Sequence, residues 1–162
     1  MPMVYNVESS TPAANYATHG TANTEDAWMV LRQATVNFTL TAINAMGKAT
    51  AATTLSGYGH FVRLWTTAGS GGTATTPAPT DSRFPASATT AADKVSAITV
   101  GTGGGTIKVG VFGHGVSGPG GWVARDEDDK VRVPAGTSDE LDIYSICGGT
   151  SQPFTGSCRF EE

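Results

Sequence analysis

The chain has 162 residues, of which 21 are glycine and 15% are charged, and its formal net charge at pH 7 is −4. This length predicts a single domain with a hydrophobic core of its own. The acidic balance and the scattered lysines and arginines argue against a nucleic-acid partner, because nucleic-acid binding depends on clustered basic side chains.

Composition also bears on membranes and on secondary structure. No apolar run approaches the roughly 20 residues that span a bilayer, and the N-terminal segment lacks the basic and apolar regions of a secretory signal. We therefore expect no membrane partner and synthesis in a cytoplasm. Abundant glycine and threonine, with few long helix formers, favour strands and turns.

Residues 1–25 carry little periodic apolar pattern apart from Val4, Tyr5 and Val7. Such a segment buries too little surface by itself to offset the entropy lost when it is ordered. We therefore expect an extended N-terminal arm that another chain, such as a neighbouring subunit, orders through these three side chains. Residues 26–162 are expected to form the single domain.

The rest of the chain alternates between apolar and polar residues in short runs, which is the pattern of strands with one buried face. Residues 24–34 fit either a capped helix or a strand, and the strand is favoured because the segment runs directly into clear alternation. The count of about eight strands predicts an antiparallel β-sandwich that is jelly-roll-like. The other predicted strands lie at 34–43, 60–67, 95–100, 106–112, 121–125, 130–133 and 140–147.

The alternation also predicts which side chains face the core. In the predicted strand at 60–67, Val62 and Leu64 point to one face, and Phe61, Arg63 and Trp65 point to the other. The same rule groups these further side chains on common faces: Val36, Phe38, Leu40 and Ala42; Ser96, Ile98 and Val100; Ile107, Val109 and Val111; and Leu141, Ile143 and Ser145.

A long Pro/Thr/Ala-rich connection at 69–93 separates two predicted strands. Loops of this length without structure of their own are usually functional or disordered. We expect contact with another chain to order it, with Phe84 as the anchor. Pro77, Pro79 and Pro85 would keep it extended, because proline presets φ and removes a backbone donor.

Motifs that suggest chemistry have simpler structural interpretations. The glycine-rich segment 101–105 precedes a strand rather than a helix, which favours a turn over a phosphate loop. The acidic run 126–129 is consecutive and has no bending glycine, which favours a solvated hairpin tip over a calcium loop, although a weak ion site between subunits stays open. His19, His60 and His114 share no catalytic context. We therefore predict no catalytic residue, no metal and no cofactor.

The two cysteines, Cys147 and Cys158, lie on either side of a glycine-rich turn. They could form a disulfide across a hairpin or remain free and buried. Free thiols are favoured because disulfides are rare in the cytoplasm.

Two stretches resemble small β-sandwich proteins of tailed-phage virions. In the first, residues 61–91, an apolar-Arg-apolar strand end leads to Gly-Gly-Thr-x-x-Thr-Pro and a Pro/Ala/Ser/Thr-rich connection. In the second, residues 122–146, an acidic turn leads through a strand and a Pro-x-Gly turn to a long strand. The resemblance covers residues 59–161 and implies a head decoration (cement) protein on the outer capsid surface or a similar accessory virion component. Its partner would be the major capsid protein, and we expect a homo-oligomer, with a trimer favoured.

The alternative is a glycan-binding fibre-tip or spike module. Trp65 and Trp122 lie beside predicted turns, where with Tyr58 they could stack on sugar rings, although capping the core is the commoner role of such tryptophans.

Overall fold

Thirteen strands arranged in two antiparallel sheets, with no helix, make up the described part of the chain. The computed structural model describes residues 1–8, 17–19, 24–32, 35–47, 57–114, 119–149 and 152–162. The first sheet contains β1 (Val4–Glu8), β2 (Ala17–His19), β4 (Phe38–Gly47), β7 (Ala78–Pro79), β10 (Pro119–Val123), β11 (Val131–Val133) and β13 (Gln152–Glu161). The second contains β3 (Asp26–Arg32), β5 (Tyr58–Trp65), β6 (Ser70–Thr75), β8 (Thr90–Thr99), β9 (Thr106–His114) and β12 (Glu140–Cys147). The predicted all-β antiparallel class is confirmed, and residues 26–32 form a strand as favoured.

The strand order in each sheet is not the order in the chain. The first sheet runs β10-β4-β13-β1-β7, with β11 also pairing with β4 and β2 also pairing with β13. The second sheet runs β6-β8-β3-β12-β5-β9. Among the described strands the chain changes sheet eight times, for example between β3 and β4 and between β12 and β13. Strands that follow one another therefore build the two walls of one core.

The core lies between the two sheets and draws on both. Phe160 in β13 stacks on Tyr5 in β1 with ring centres 5.5 Å apart. Phe38 packs edge-on against the Phe160 ring, with ring centres 5.8 Å apart. From the second sheet, Leu141 and Ile143 are fully buried in the same cluster. Each such side chain contributes about 1.5–3 kcal/mol of burial free energy.

Two predicted inward positions are wrong, and a bulge explains each of them. In β4, Ala42 pairs with Arg159 and Leu40 pairs with Phe160, so Thr41 is an extra residue. The alternation therefore reverses after Leu40, and Ile43 rather than Ala42 enters the core. In β9, one extra residue between Ile107 and Val109 has the same effect, which leaves Ile107 54% exposed.

Residues 4–8 form a strand of the first sheet instead of an arm. β1 pairs with β13 along its whole length, and Tyr5 and Val7 are fully buried in the core. The period of two in this short segment puts both side chains on the sheet's inner face. The rest of the expected arm lies largely outside the described residues.

The long connection at 69–93 contains β6, β7 and the start of β8, and contacts from its own chain order it. β6 pairs with β8, and β7 pairs with β1. The Tyr5 hydroxyl donates to the Pro85 carbonyl oxygen (3.1 Å). The Glu162 carboxylate accepts from the Ser87 hydroxyl (2.7 Å) and from the Thr89 amide (2.8 Å). The expectation that another chain orders this segment is therefore corrected.

Both cysteines are buried and free, as favoured from the sequence. The Cys158 thiol donates to the Met29 sulfur at 3.4 Å. Burial raises the pKa of Cys158 to about 12. The thiol therefore stays protonated and unreactive at neutral pH.

Candidate functional site

Two candidate surfaces lie on the outer faces of the two sheets. The first, called here the first-sheet face, has two hollows of about 250 and 260 Å³ that share Glu8, Asn44 and Ser157. These three residues lie in register across β1, β4 and β13, so the hollows form one shallow surface. The residues of this face are Asn6, Glu8, Ala42, Asn44, Met46, Val123, Thr155, Ser157 and Arg159.

The first-sheet face combines exposed apolar groups with compensated charge. Met46 is 44% exposed and Val123 is 64% exposed. Arg159 donates to the Asn6 side chain (3.1 Å), and its charge is balanced across the face by Glu8. A surface with no net charge that combines apolar and polar side chains suits contact with another protein surface.

The second surface is built by a ribbon that folds over the outer face of the second sheet. We call this ribbon the flap; it consists of residues 66–72 and 97–105, which pair with each other in antiparallel fashion. Gly71 and Gly72 have φ values of 74° and 81° at a register shift, which lets the ribbon bend. A Cβ at Gly105 would lie 2.7 Å from the Trp65 ring, so this turn requires glycine to pack there. The prediction that 101–105 is a turn is confirmed.

A hollow of about 410 Å³, called here the flap pocket, opens between the flap and the sheet. Its apolar part belongs to a second cluster, separate from the core, in which Ile98 and Val100 of the flap region pack against Phe61 and Tyr144. Its lining consists of four charged residues (Glu25, Asp26, Arg63, Lys94), two aromatic residues (Trp65, Tyr144) and four aliphatic residues (Ala27, Ala97, Ile98, Val100).

The charged groups of the flap pocket are paired. Arg63 donates to both oxygens of Glu25 at 2.8 and 3.1 Å, and Lys94 pairs with Asp26. The hydrogen bond from Arg63 to Glu25 raises the pKa of Arg63, whereas burial lowers the pKa of Lys94. The Arg63 guanidinium also lies 5.5 Å from the Trp65 ring centre, which is a cation–π contact.

A buried acid pair, Glu140 and Asp142, lies beneath the flap on β12. Glu140 accepts from the Arg32 side chain and from the Gly69 amide of the flap at 3.1 Å. Asp142 accepts from the Tyr144 hydroxyl at 3.2 Å. One oxygen of each carboxyl, Oε1 of Glu140 and Oδ1 of Asp142, has no donor among the described residues.

A proton shared between Glu140 and Asp142 accounts for the lack of another donor to these two oxygens. Burial, together with the charge of Glu140, raises the pKa of Asp142 to about 8. Asp142 is therefore mostly protonated at pH 7, and one proton between the carboxyls supplies the missing hydrogen bond. Both side chains are buried. The pair therefore holds the flap through Gly69 and does not present an acid to solvent.

The aromatic residues of the sugar-binding alternative do not meet. Tyr58 is buried in the core, and Trp122 lies in the first sheet, packed against that core. Trp65 lines the flap pocket, where its indole N–H donates to the Tyr144 hydroxyl at 3.2 Å.

The residues predicted to contact a partner are mostly occupied within the chain. Tyr5, Val7 and Pro77 are buried, Val4, Pro79 and Phe84 are half-buried, and Pro85 is exposed. The half-buried and exposed members lie along the β1–β7 edge of the first sheet and in the turn that follows it.

The acidic run 126–129 is an exposed turn, but it is not a hairpin tip. β10 and β11, which flank it, both pair with β4 rather than with each other. The Asp126 carboxylate accepts from the Asp128 and Asp129 amides, each at 3.1 Å, and Arg125 pairs with Asp129. Across the described ranges, no three His, Cys, Asp or Glu side chains come together in a group that could hold a metal.

The histidines do not form a site in the part of the chain that the structure describes. His60 is buried among aromatic rings, with the Phe112 ring centre at 5.5 Å. The side chains of His19 and His114 lie outside the described residues.

Comparison with known proteins leaves the function to be argued from these residues. No protein-family model, curated protein or solved structure matches the chain. In the described residues, no helix has the length and apolar character needed to cross a membrane.

Sequence reasoning missed the charged residues around the flap. The spacing of Glu140, Asp142 and Tyr144 was a usable signal, because residues two apart in a strand share a face. Glu25 and Lys94 gave no such signal, since they come from separate segments that only the sheet brings together.

Proposed function

We propose that the chain is a structural virion protein that decorates a phage capsid and stabilises it by binding across neighbouring major capsid subunits. It lies on the outer capsid surface as a homo-oligomer, with a trimer favoured, and catalyses no reaction. The observation that carries the proposal is the first-sheet face, where Met46 and Val123 are exposed on a shallow surface that has no net charge. The occupant of this face is a capsid subunit with a partly apolar surface of little net charge.

The same proposal assigns the sandwich to the jelly rolls. The strand order supports this assignment, because β1, β13, β4 and β10 are neighbours in that order in one sheet, and β3, β12, β5 and β9 in the other. Eight strands with this alternation correspond to two interleaved Greek keys. β6, β7 and β8 are then an insertion between β5 and β9. Jelly rolls serve as capsid domains and as lectins, so the fold is compatible with the function without selecting it.

The size of the face explains why several copies must act together. Four strands about 4.8 Å apart, with five residues each at about 3.4 Å, cover about 300 Å². A stable protein interface buries about 800 Å² on each partner. A single copy therefore binds weakly, and an oligomer gains strength because its second and third contacts are intramolecular. Binding only to the assembled shell then stabilises that shell by mass action.

Cosedimentation with emptied, undecorated phage heads tests the proposal, with bound protein measured per shell. Two matched variants, Val123→Asp and Ile107→Asp, each put a carboxylate on an exposed strand position, at 64% and 54% exposure, on opposite sheets. We expect the wild-type protein and Ile107→Asp to saturate at the same copy number. Val123→Asp should bind at least about tenfold more weakly, because its charge would be buried on docking.

The outcomes test the decoration function and the docking surface separately. If the wild-type protein does not bind shells, the decoration function is refuted. If both variants lose binding equally, or if neither does, the first-sheet face is not the docking surface.

A further inference from the structure

The flap pocket has the volume of a small-molecule site. Its volume of about 410 Å³ lies within the range of about 300–1,000 Å³ that is usual for such sites. The outer face of β3, β5 and β12 forms one wall, and the overhanging end of β8 forms the other. It lies on the opposite sheet from the first-sheet face, so its use does not depend on capsid docking.

The charges of the pocket favour an uncharged ligand. Glu25, Asp26, Arg63 and Lys94 contribute two negative and two positive charges, and they form two ion pairs. A charged ligand would have to displace one member of a pair. A ligand hydroxyl can donate to a carboxylate and accept from a cationic group without breaking either pair. The Glu25 side chain is 46% exposed and that of Asp26 is 22% exposed, so their oxygens remain accessible to such a ligand.

The apolar part of the lining favours a ligand that also has C–H surface. Ile98 and Val100 lie beside Trp65 and Tyr144 within the second cluster. The turn at Gly105 packs against the Trp65 ring, and the Arg63 guanidinium lies 5.5 Å from that ring's centre. Because these contacts occupy much of the ring surface, a ligand would contact the edge of the indole and the aliphatic side chains.

From this combination we propose that the flap pocket binds a neutral saccharide. A sugar ring presents hydroxyl groups at its edge and C–H groups on its faces, which matches a lining of charged, aromatic and aliphatic side chains. Hydroxyls contact Glu25, Asp26 and Lys94, and the ring C–H groups contact Trp65 and Ile98. Binding is weak, with a dissociation constant of about 1 mM, because no open aromatic face is available for stacking.

NMR titration of the ¹⁵N-labelled full chain tests this site. The probes are maltose and lactose as neutral saccharides, sialyllactose as an anionic saccharide and leucine as a zwitterion. We expect at least one neutral saccharide to shift the Trp65 indole N–H and the Ala97 and Ile98 amides in a saturable way. Sialyllactose and leucine should leave these signals unchanged at the same concentrations.

Two variants locate the binding. Asp26→Asn removes a charged acceptor from the pocket lining and should weaken saccharide binding about tenfold or more. Trp122→Phe changes a tryptophan on the opposite sheet and should leave the affinity unchanged. Unaltered amide signals away from the substitution would establish that each variant is folded.

The proposal is overturned if no neutral saccharide shifts the Trp65 indole signal. A response to leucine or sialyllactose alone would also overturn it, because the pocket would then recognise charge. Loss of binding in Trp122→Phe, with Asp26→Asn unaffected, would move the site to the other sheet.

Discussion

Replacing Asp142 by asparagine should change how the stability of the protein depends on pH. Asp142 is buried beside Glu140, and each carboxyl has an oxygen without a donor among the described residues. Asparagine has nearly the same shape, and its amide can donate to Glu140 without carrying a titrating proton. The substitution therefore preserves the packing beneath the flap and removes the shared proton.

The sign and size of the effect follow from the pKa of Asp142, which burial and Glu140 raise to about 8. An unfolded aspartate has a pKa of about 3.9. Between these values the folded state binds one proton more than the unfolded state, so the free energy of unfolding falls as pH rises. Each pH unit corresponds to about 1.4 kcal/mol, and the whole window to about 6 kcal/mol.

Urea unfolding at pH 5, 6 and 7, followed by tryptophan fluorescence, measures this effect. The free energy of unfolding of Asp142→Asn minus that of the wild type should increase by about 3 kcal/mol from pH 5 to pH 7. Taking this difference cancels the other titrating groups. A difference that stays constant across these pH values would refute the shared proton.

Asp129→Asn is the matched control for this measurement. The hydrogen bond from Arg125 lowers the pKa of Asp129, so this carboxyl titrates below the window. Its difference from the wild type should not change between pH 5 and pH 7.

Three further predictions concern packing and the long connection. Leu141→Ala, in the centre of the core, should lower the free energy of unfolding by about 2–5 kcal/mol in urea; a loss below 1 kcal/mol would contradict the observed burial. Gly105→Ala should destabilise more than Gly136→Ala, because both have positive φ but only the first would bring a Cβ to 2.7 Å from the Trp65 ring; equal losses would show that the ring contact does not matter. Glu162→Gln should speed hydrogen exchange at the amides of residues 88 and 89, which the carboxylate accepts from; unchanged exchange there would mean that other contacts hold the segment.

The sequence predicted strand faces well where the pattern is local. Phe61, Arg63 and Trp65 point away from Val62 as expected, because side chains alternate along any strand. The prediction failed at Ala42 and Ile107, where a bulge reverses the alternation. A bulge depends on how the partner strand pairs, and in β4 that partner is more than 100 residues further along the chain.

The candidate sites were less predictable than the strands. Trp65 was recognisable as an aromatic residue beside a turn, but its neighbours in the flap pocket come from distant segments. Glu25 reaches Arg63 across 38 residues, and the Asp26–Lys94 pair spans 68. No local period relates such positions, so sequence reasoning could not group them.

The sequence by itself determined the fold class. Short alternating runs, glycine turns and few helix formers specify antiparallel strands, since each of these preferences acts between near neighbours. Only the tertiary structure decided that the polar connection at 69–93 is ordered by its own chain. A hydrogen bond between Ser87 and Glu162 joins residues 75 positions apart. Only the tertiary structure decided, too, that Glu140 and Asp142 are buried and that the Gly69 amide of the flap donates to Glu140. The burial of a side chain depends on which residues the fold packs around it, and its neighbours in the chain do not determine this. The pKa of Asp142 depends on that burial.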